Sequence, residues 1–292
     1  MKAIVNIKGK TPPARPAVLA VTVFLLLAAA LPSFGLTIHF KLSGSYSLLS
    51  LNDVNRSLSG WRDFMKRREA AIPGWIYEGG GTGRVRAGFE FEGELLLDFA
   101  KRWAIGIGSG YSYAEASQSA TAVDILDFSV PYVYARPTKV TAVPLVLSGY
   151  RFFPLGRRFS LYVGAGAGWV RARYSDRETV IKASSARTTY SNAQSASGRG
   201  TLVQGIAGVK YAYDGSLGFF LEAVWRRAKV NTLGNGTGTL YFFEQYRQNL
   251  DFWQVKMSLL DAPPAGETSR SVRKAVVDLG GLVLKLGFFI KF

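Results

Sequence analysis

Gly280-Gly281-Leu282-Val283-Leu284-Lys285-Leu286-Gly287-Phe288-Phe289-Ile290-Lys291-Phe292 closes the chain and decides how the rest is read. Leu282, Leu284, Leu286, Phe288, Ile290 and Phe292 fall on every second position, and Val283, Lys285, Gly287, Phe289 and Lys291 stand between them. A period of two belongs to a β-strand whose faces meet different surroundings. A soluble sheet keeps one apolar face for its core and puts charge on the other. Here one face is wholly apolar while the other mixes lysine, glycine and aromatics. That is the pattern of a strand with lipid on one side and a polar lumen on the other.

Seven earlier stretches repeat it: Leu36 to Leu48, Gly83 to Phe99, Arg102 to Ser117, Arg136 to Phe153, Phe159 to Tyr174, Gly200 to Tyr213 and Leu217 to Val230. Each exceeds the ~9–11 residues that a tilted strand needs to cross a bilayer. Their connections alternate. Ala100-Lys101, Pro154 to Arg158 and Asp214-Gly215-Ser216 are short, and Asp-Gly is a strong hairpin signal. Leu49 to Thr82, Gln118 to Ala135, Ser175 to Arg199 and Asn231 to Lys274 are long. The expected fold is all-β: an eight-stranded antiparallel transmembrane β-barrel with short periplasmic turns and four long extracellular loops. A soluble sandwich or lipocalin-like barrel would turn the apolar face inward and give Tyr111, Trp169, Tyr213, Trp225 and Phe292 no interface to occupy.

Composition agrees. The chain has 292 residues with 32 glycines, 14 tyrosines, 19 phenylalanines and 6 tryptophans, a bias toward strands and turns. The absence of cysteine excludes disulfides, thiolate metal sites, a cysteine nucleophile and a lipoprotein anchor. Net charge is +16, but the basic residues are scattered and many alternate with apolar ones, so nucleic acid is not the expected partner. Lys2, Lys8, Lys10 and Arg15 precede the apolar run Ala17 to Leu31, followed by Ser33-Phe34-Gly35. This reads as a secretory signal peptide over residues 1–35, cleaved near Gly35, with the barrel over 36–292. Loss of those four positive charges from +16 leaves the mature chain at +12.

The eight amphipathic stretches, the long and short connections and the ending Leu284 to Phe292 resemble the small bacterial outer-membrane barrels of the OmpA/OmpX/OmpW type. The resemblance implies outer-membrane localisation in a Gram-negative-type bacterium and a monomer surrounded by outer-membrane lipids, lipopolysaccharide included. It also implies that Leu286, Phe288, Ile290 and Phe292 form the signal read by the barrel-assembly machinery. Adhesins, anchors, solute channels and lipid-modifying enzymes share the architecture, so function must come from particular residues.

Three groups of residues are candidates. Lys41, Arg84, Arg86, Glu90, Glu92, Glu94, Lys210, Glu222, Arg226 and Lys285 occupy the polar face. Inside a narrow barrel they must pair, as a selective path or as a plug of ion pairs. Eight strands enclose a space just wide enough for side chains, which favours the plug. Catalysis would need His39, the sole histidine, which lies near the periplasmic rim with no acid close in sequence. The expectation is therefore no enzyme, no cofactor and no metal. The third group is in the loops. Asn52 to Asn55 starts a helix through Arg68, with Trp61, Arg67 and Arg68 offered to ligands or lipid phosphates. Tyr241, Phe242, Phe243 and Trp253 stand in a last loop expected to rise as an extracellular hairpin turning at Asn249-Leu250-Asp251, not as two further staves. The function expected is structural or surface interaction; the alternative is a narrow channel for small or hydrophobic solutes.

Overall fold

The computed structural model describes residues 37–71, 75–82, 84–100, 102–124, 130–182, 187–263 and 269–292; the signal peptide expected over residues 1–35 lies outside them. Eight strands close a ring: Thr37–Leu49 (β1), Ala87–Ala100 (β3), Trp103–Asp124 (β4), Val130–Pro154 (β5), Phe159–Lys182 (β6), Arg187–Ala212 (β7), Leu217–Val230 (β8) and Gly281–Lys291 (β13). Every neighbouring pair is antiparallel, and β13 completes the circle by pairing β8 on one edge and β1 on the other. No strand edge is left open in the ring, which is what a bilayer demands of backbone polar groups.

The alternation read in the sequence holds. Leu282, Leu284, Leu286 and Phe288 are exposed, as are Phe89, Phe91, Ile105, Ile107, Leu145, Leu147, Leu161, Val163, Phe219 and Leu221. So large a band of exposed apolar side chains belongs in lipid, not water. The fold is a transmembrane β-barrel of the outer-membrane kind. The facing of β5, apolar on both sides in sequence, is now plain: Val143, Leu145 and Leu147 point out, while Val146, Ser148 and Tyr150 point in.

The four long connections prove to be built structure. β4 to β7 run 22 to 26 residues, so most of the sequence assigned to the second and third loops is strand. The reason is a change of solvent. Above the lipid the outside is water, and the alternation inverts: Glu115, Ser117 and Ser119 face out from β4, while Ala114, Ala116 and Ala120 face in. On β6, Arg171, Arg173 and Arg177 face out and Val170, Ala172, Tyr174 and Val180 face in. A period sought with one sign loses its signal where the sign changes.

The inward apolar faces of this tall wall need a partner. The first connection supplies helix α1 (Asn52–Ala71) and strand β2 (Trp75–Thr82), which pairs with the top of β4. The last connection supplies β9 (Thr239–Arg247), β10 (Phe252–Leu260) and β11 (Ser269–Lys274), a separate three-stranded sheet ordered β10-β9-β11. Short β12 (Val277–Asp278) then extends the wall beside β8. Leu51, just before α1, and Val54 and Leu58 of α1 pack with Leu240, Phe242 and Met257 of the sheet against Ala116, Val140, Ala142, Ala172, Tyr174 and Leu202 of the wall. Trp61 and Met65 pack higher up against Ala120, Tyr134 and Val180.

Candidate functional site: a layered lumen

From the periplasmic end outward, the interior changes chemistry twice. Leu96, Ala104, Tyr162 and Ile206 form an apolar floor with Tyr150 and Phe152, while Val224 and Val283 of the same cluster lie outward of Glu222 and Lys285. The next inward positions of β3, directly above Leu96, are Glu94, Glu92 and Glu90, all buried. Period two places three carboxylates in a column on one face, and neighbouring strands supply their partners. Lys41 from β1 bonds Glu94 at 3.0 Å and also Glu222 of β8. Arg226, two inward steps above Glu222 on β8, donates Nη1 to both oxygens of Glu90 at 2.9 Å. Lys285 from β13 reaches Glu92 at 2.6 Å, and Arg226 Nη2 lies 3.8 Å from the same carboxylate.

This layer holds one more carboxylate than cations, and tyrosine hydroxyls supply the missing donors. Tyr150 donates to Glu94 at 2.7 and 2.8 Å, and Tyr162 donates to Glu222 at 2.8 Å. Lys41 Nζ also lies 5.0 Å from the Tyr150 ring and 4.6 Å from that of Phe220, so the cation is enclosed by π-faces as well as carboxylates. Room for Glu94 comes from Gly106 on β4, where a Cβ would collide with its carboxylate.

Of the ten charged residues expected in the lumen, Lys41, Glu90, Glu92, Glu94, Glu222, Arg226 and Lys285 are brought together. Three are not. Arg84 and Arg86 precede β3 and are exposed at the rim, because the wall is low there and the alternation has left the lumen. Lys210 sits on the periplasmic side, its Nζ 3.8 Å from the Phe289 ring centre and away from the glutamate column. Lys291 is exposed too. Tyr150 and Tyr162 were missed as members of the network, although they share parity with Ser148 and Gly164 on their strands and that parity was available.

A second polar group lies above the lipid. Arg136 and Asp176 form a two-pronged pair with contacts of 2.7 to 3.1 Å, and Thr138 and Gln194 donate to the same carboxylate at 2.9 and 3.1 Å. Burial works against the Arg136 charge, but Asp176 beside it outweighs this and holds the guanidinium above its ordinary value. Burial and then Asp176 push the neighbouring Tyr174 phenol up. At the opposite end, Asp214 accepts from Leu217 N at 2.6 Å and Ser216 N at 2.8 Å, closing the β7–β8 turn and drawing its carboxyl below the usual range.

The helix is locked from both sides. Gln118 of β4 donates to Leu58 O at 2.9 Å, and Trp61 Nε1 donates to Glu178 of β6 at 2.9 Å. Asp53 receives both Arg273 nitrogens at 2.6 Å and Val276 N at 2.9 Å, while Ser57 accepts from Met257 N at 3.1 Å. These contacts correct the expectation for the loop aromatics. Trp61 is 3% exposed, Phe242 1% and Phe243 3%: they fill space between plug and wall and offer no surface to a ligand. Tyr241 and Trp253 are half-buried, Arg68 is half-buried and Arg67 is exposed. The last connection does turn through Gln248–Leu250 and Asp251, as expected, but β9 and β10 fold onto α1 instead of projecting.

His39 has a partner that sequence distance concealed: its Nε2 lies 2.7 Å from Asp98 across the β1–β3 pair. Its Nδ1 has no hydrogen bond, and no serine or threonine hydroxyl reaches either ring nitrogen among the described residues. No group of three or more metal-ligating side chains occurs among the described residues.

No protein-family model matches the chain, and no curated protein does. Among solved structures, the chain is similar to the outer membrane protein OprG of Pseudomonas aeruginosa, with 13% identity over 88% of this chain and 95% of that one and a TM-score of 0.36. It is also similar to the attachment invasion locus protein Ail of Yersinia pestis, with 10% identity over 87% and 99% and a TM-score of 0.34. The outer membrane protease OmpT of Escherichia coli matches at 9% identity over 88% and 96%, with a TM-score of 0.34. The chain is a transmembrane β-barrel by its own closed ring of eight strands and exposed apolar belt, and its likeness to these proteins is one of architecture.

Proposed function

We propose that the protein is a closed, structural outer-membrane barrel that displays a rigid outer surface and carries no solute and no catalytic centre. One observation supports this above the rest: α1 and the β9–β11 sheet pack into the upper barrel over a glutamate column already neutralised by Lys41, Arg226 and Lys285. A conducting path would have to pass both an apolar seal and a dry ionic layer. His39 and Asp98 form a pair without a nucleophile, so they act as packing between β1 and β3. Refolded protein in a planar bilayer is expected to give no steady conductance. A stable open level would favour the narrow channel instead.

The alternating Leu286, Phe288, Ile290 and Phe292 serve insertion in this reading, as the signal for the assembly machinery after export with a cleaved leader. Leu286 and Phe292 are both about two-thirds exposed, at 66% and 65%, so neither is held by the barrel's own packing. Deleting Phe292 is expected to remove most of the protein from the outer membrane of expressing cells. Refolding of the same variant in detergent should proceed as for the wild type. Normal membrane levels would end the assignment.

A further inference from the structure

The outer wall carries a basic band that the fold itself does not use. On β6 the outward positions read Val163, Ala165, Ala167, Trp169, Arg171, Arg173; on β8 they read Leu221, Ala223, Trp225, Arg227, Lys229. Both strands change from aliphatic to tryptophan to basic in the same direction. Tryptophan settles at the lipid–water boundary, so the arginines stand at the level of lipid headgroups. Between these strands β7 presents Arg199, whose register partner on β6 is Arg171.

Two arginines directly opposite on one face of a sheet repel each other. Elsewhere outside the lipid, the wall answers charge with charge: Lys139 faces Glu115 and Lys229 faces Asp278 in the pairing register. Arg171, Arg199 and Arg227 have no carboxylate partner among the described residues. Arg173 donates to Ser195 Oγ at 3.0 Å, which fixes its guanidinium beside a hydroxyl. Thr141, Arg171, Arg173, Ser195, Ser197 and Asn235 bound a concavity of about 470 Å³ at this place. Guanidinium forks beside hydroxyl and amide donors are the donor set for phosphate.

We propose that Arg171, Arg173 and Arg199 form a binding site for the phosphate of an outer-leaflet glycolipid, with Ser195, Ser197 and Asn235 as supplementary donors. The acyl chains of that lipid run down the wall past Trp169 and Trp225. Equilibrium binding of bisphosphorylated lipid A to the full chain in detergent, followed by tryptophan fluorescence, tests it. Against Arg171→Gln/Arg199→Gln the affinity is expected to fall about tenfold or more. Both side chains are exposed, and heat-modifiable gel mobility reports whether the variant is folded. The wild type provides an arm independent of any variant, since dephosphorylated lipid A is expected to bind as weakly as the bisphosphorylated lipid binds the variant. Equal binding of the two lipids, equal binding by variant and wild type, or equal binding of phosphatidylglycerol would each overturn the proposal.

Discussion

Replacing Arg226 with alanine is expected to cost about 3–5 kcal/mol of barrel stability, because removing one member of a buried pair strands the other charge in a dry interior. Arg226 is 5% exposed and Glu90 only 1%, so neither can turn to water. The loss should extend beyond Glu90, since Arg226 Nη2 also approaches Glu92, the partner of Lys285. Urea unfolding followed by gel mobility measures it. The double change Arg226→Met with Glu90→Gln removes both charges and should recover most of the loss. If the single and double variants unfold alike, the pair is not what holds β3 to β8 across the lumen.

The second large effect concerns the seal between plug and wall. Gly60 lies in the middle of α1, where glycine costs a helix about 1 kcal/mol relative to alanine. Its use has a local cause: a Cβ at this position would run into the carbonyl of Val255 on β10. Gly60→Val should therefore separate α1 from β10, loosening Trp61 and Met65 from the wall while leaving the ring of eight strands intact. Gel mobility should still report a folded barrel. Protease should then cut within α1 and the β9–β10 hairpin, while bilayers stay silent because the ion pairs of Glu90, Glu92 and Glu94 still close the barrel below. A Gly60→Val barrel as protease-resistant as the wild type would show that the close approach of α1 to β10 is not what holds the helix in the barrel.

The membrane-embedded half was legible because two solvents impose one periodicity on every stave. From that alone came the eight strands, the lipid-facing side of β13, and the glutamate column of β3, with Lys41, Arg226 and Lys285 among the ten charges expected inside. Register was not legible, and so neither were the pairings that depend on it. Nothing near His39 in sequence announces Asp98, yet β1 and β3 set them side by side. The outer half was harder to read for a different reason. Its strands keep their period but exchange the chemistry of their faces, so Ala120, Tyr134 and Val180 looked like loop residues until α1 supplied the surface that buries them. The loop aromatics misled in the same way. Phe242 and Phe243 are apolar because they are core, and a core assembled from connections cannot be recognised one connection at a time.

The plug has a bearing on how the chain reaches this state. Its helix is made almost first, from residues 52–71, and the sheet that locks it almost last, from residues 239–274. Ser57 waits for Met257, and Asp53 for Arg273. Until β9 to β11 arrive, the inner faces of the tall hairpins stay unsatisfied, and the arrival of β13 then joins β1 to β8. Two events that would be separate in a barrel with slack loops thereby fall into one: sealing of the interior and closure of the ring. Contacts of such long range are slow to form. The rate of maturation should therefore be set at the end of the polypeptide, with every earlier hairpin held in reserve for it.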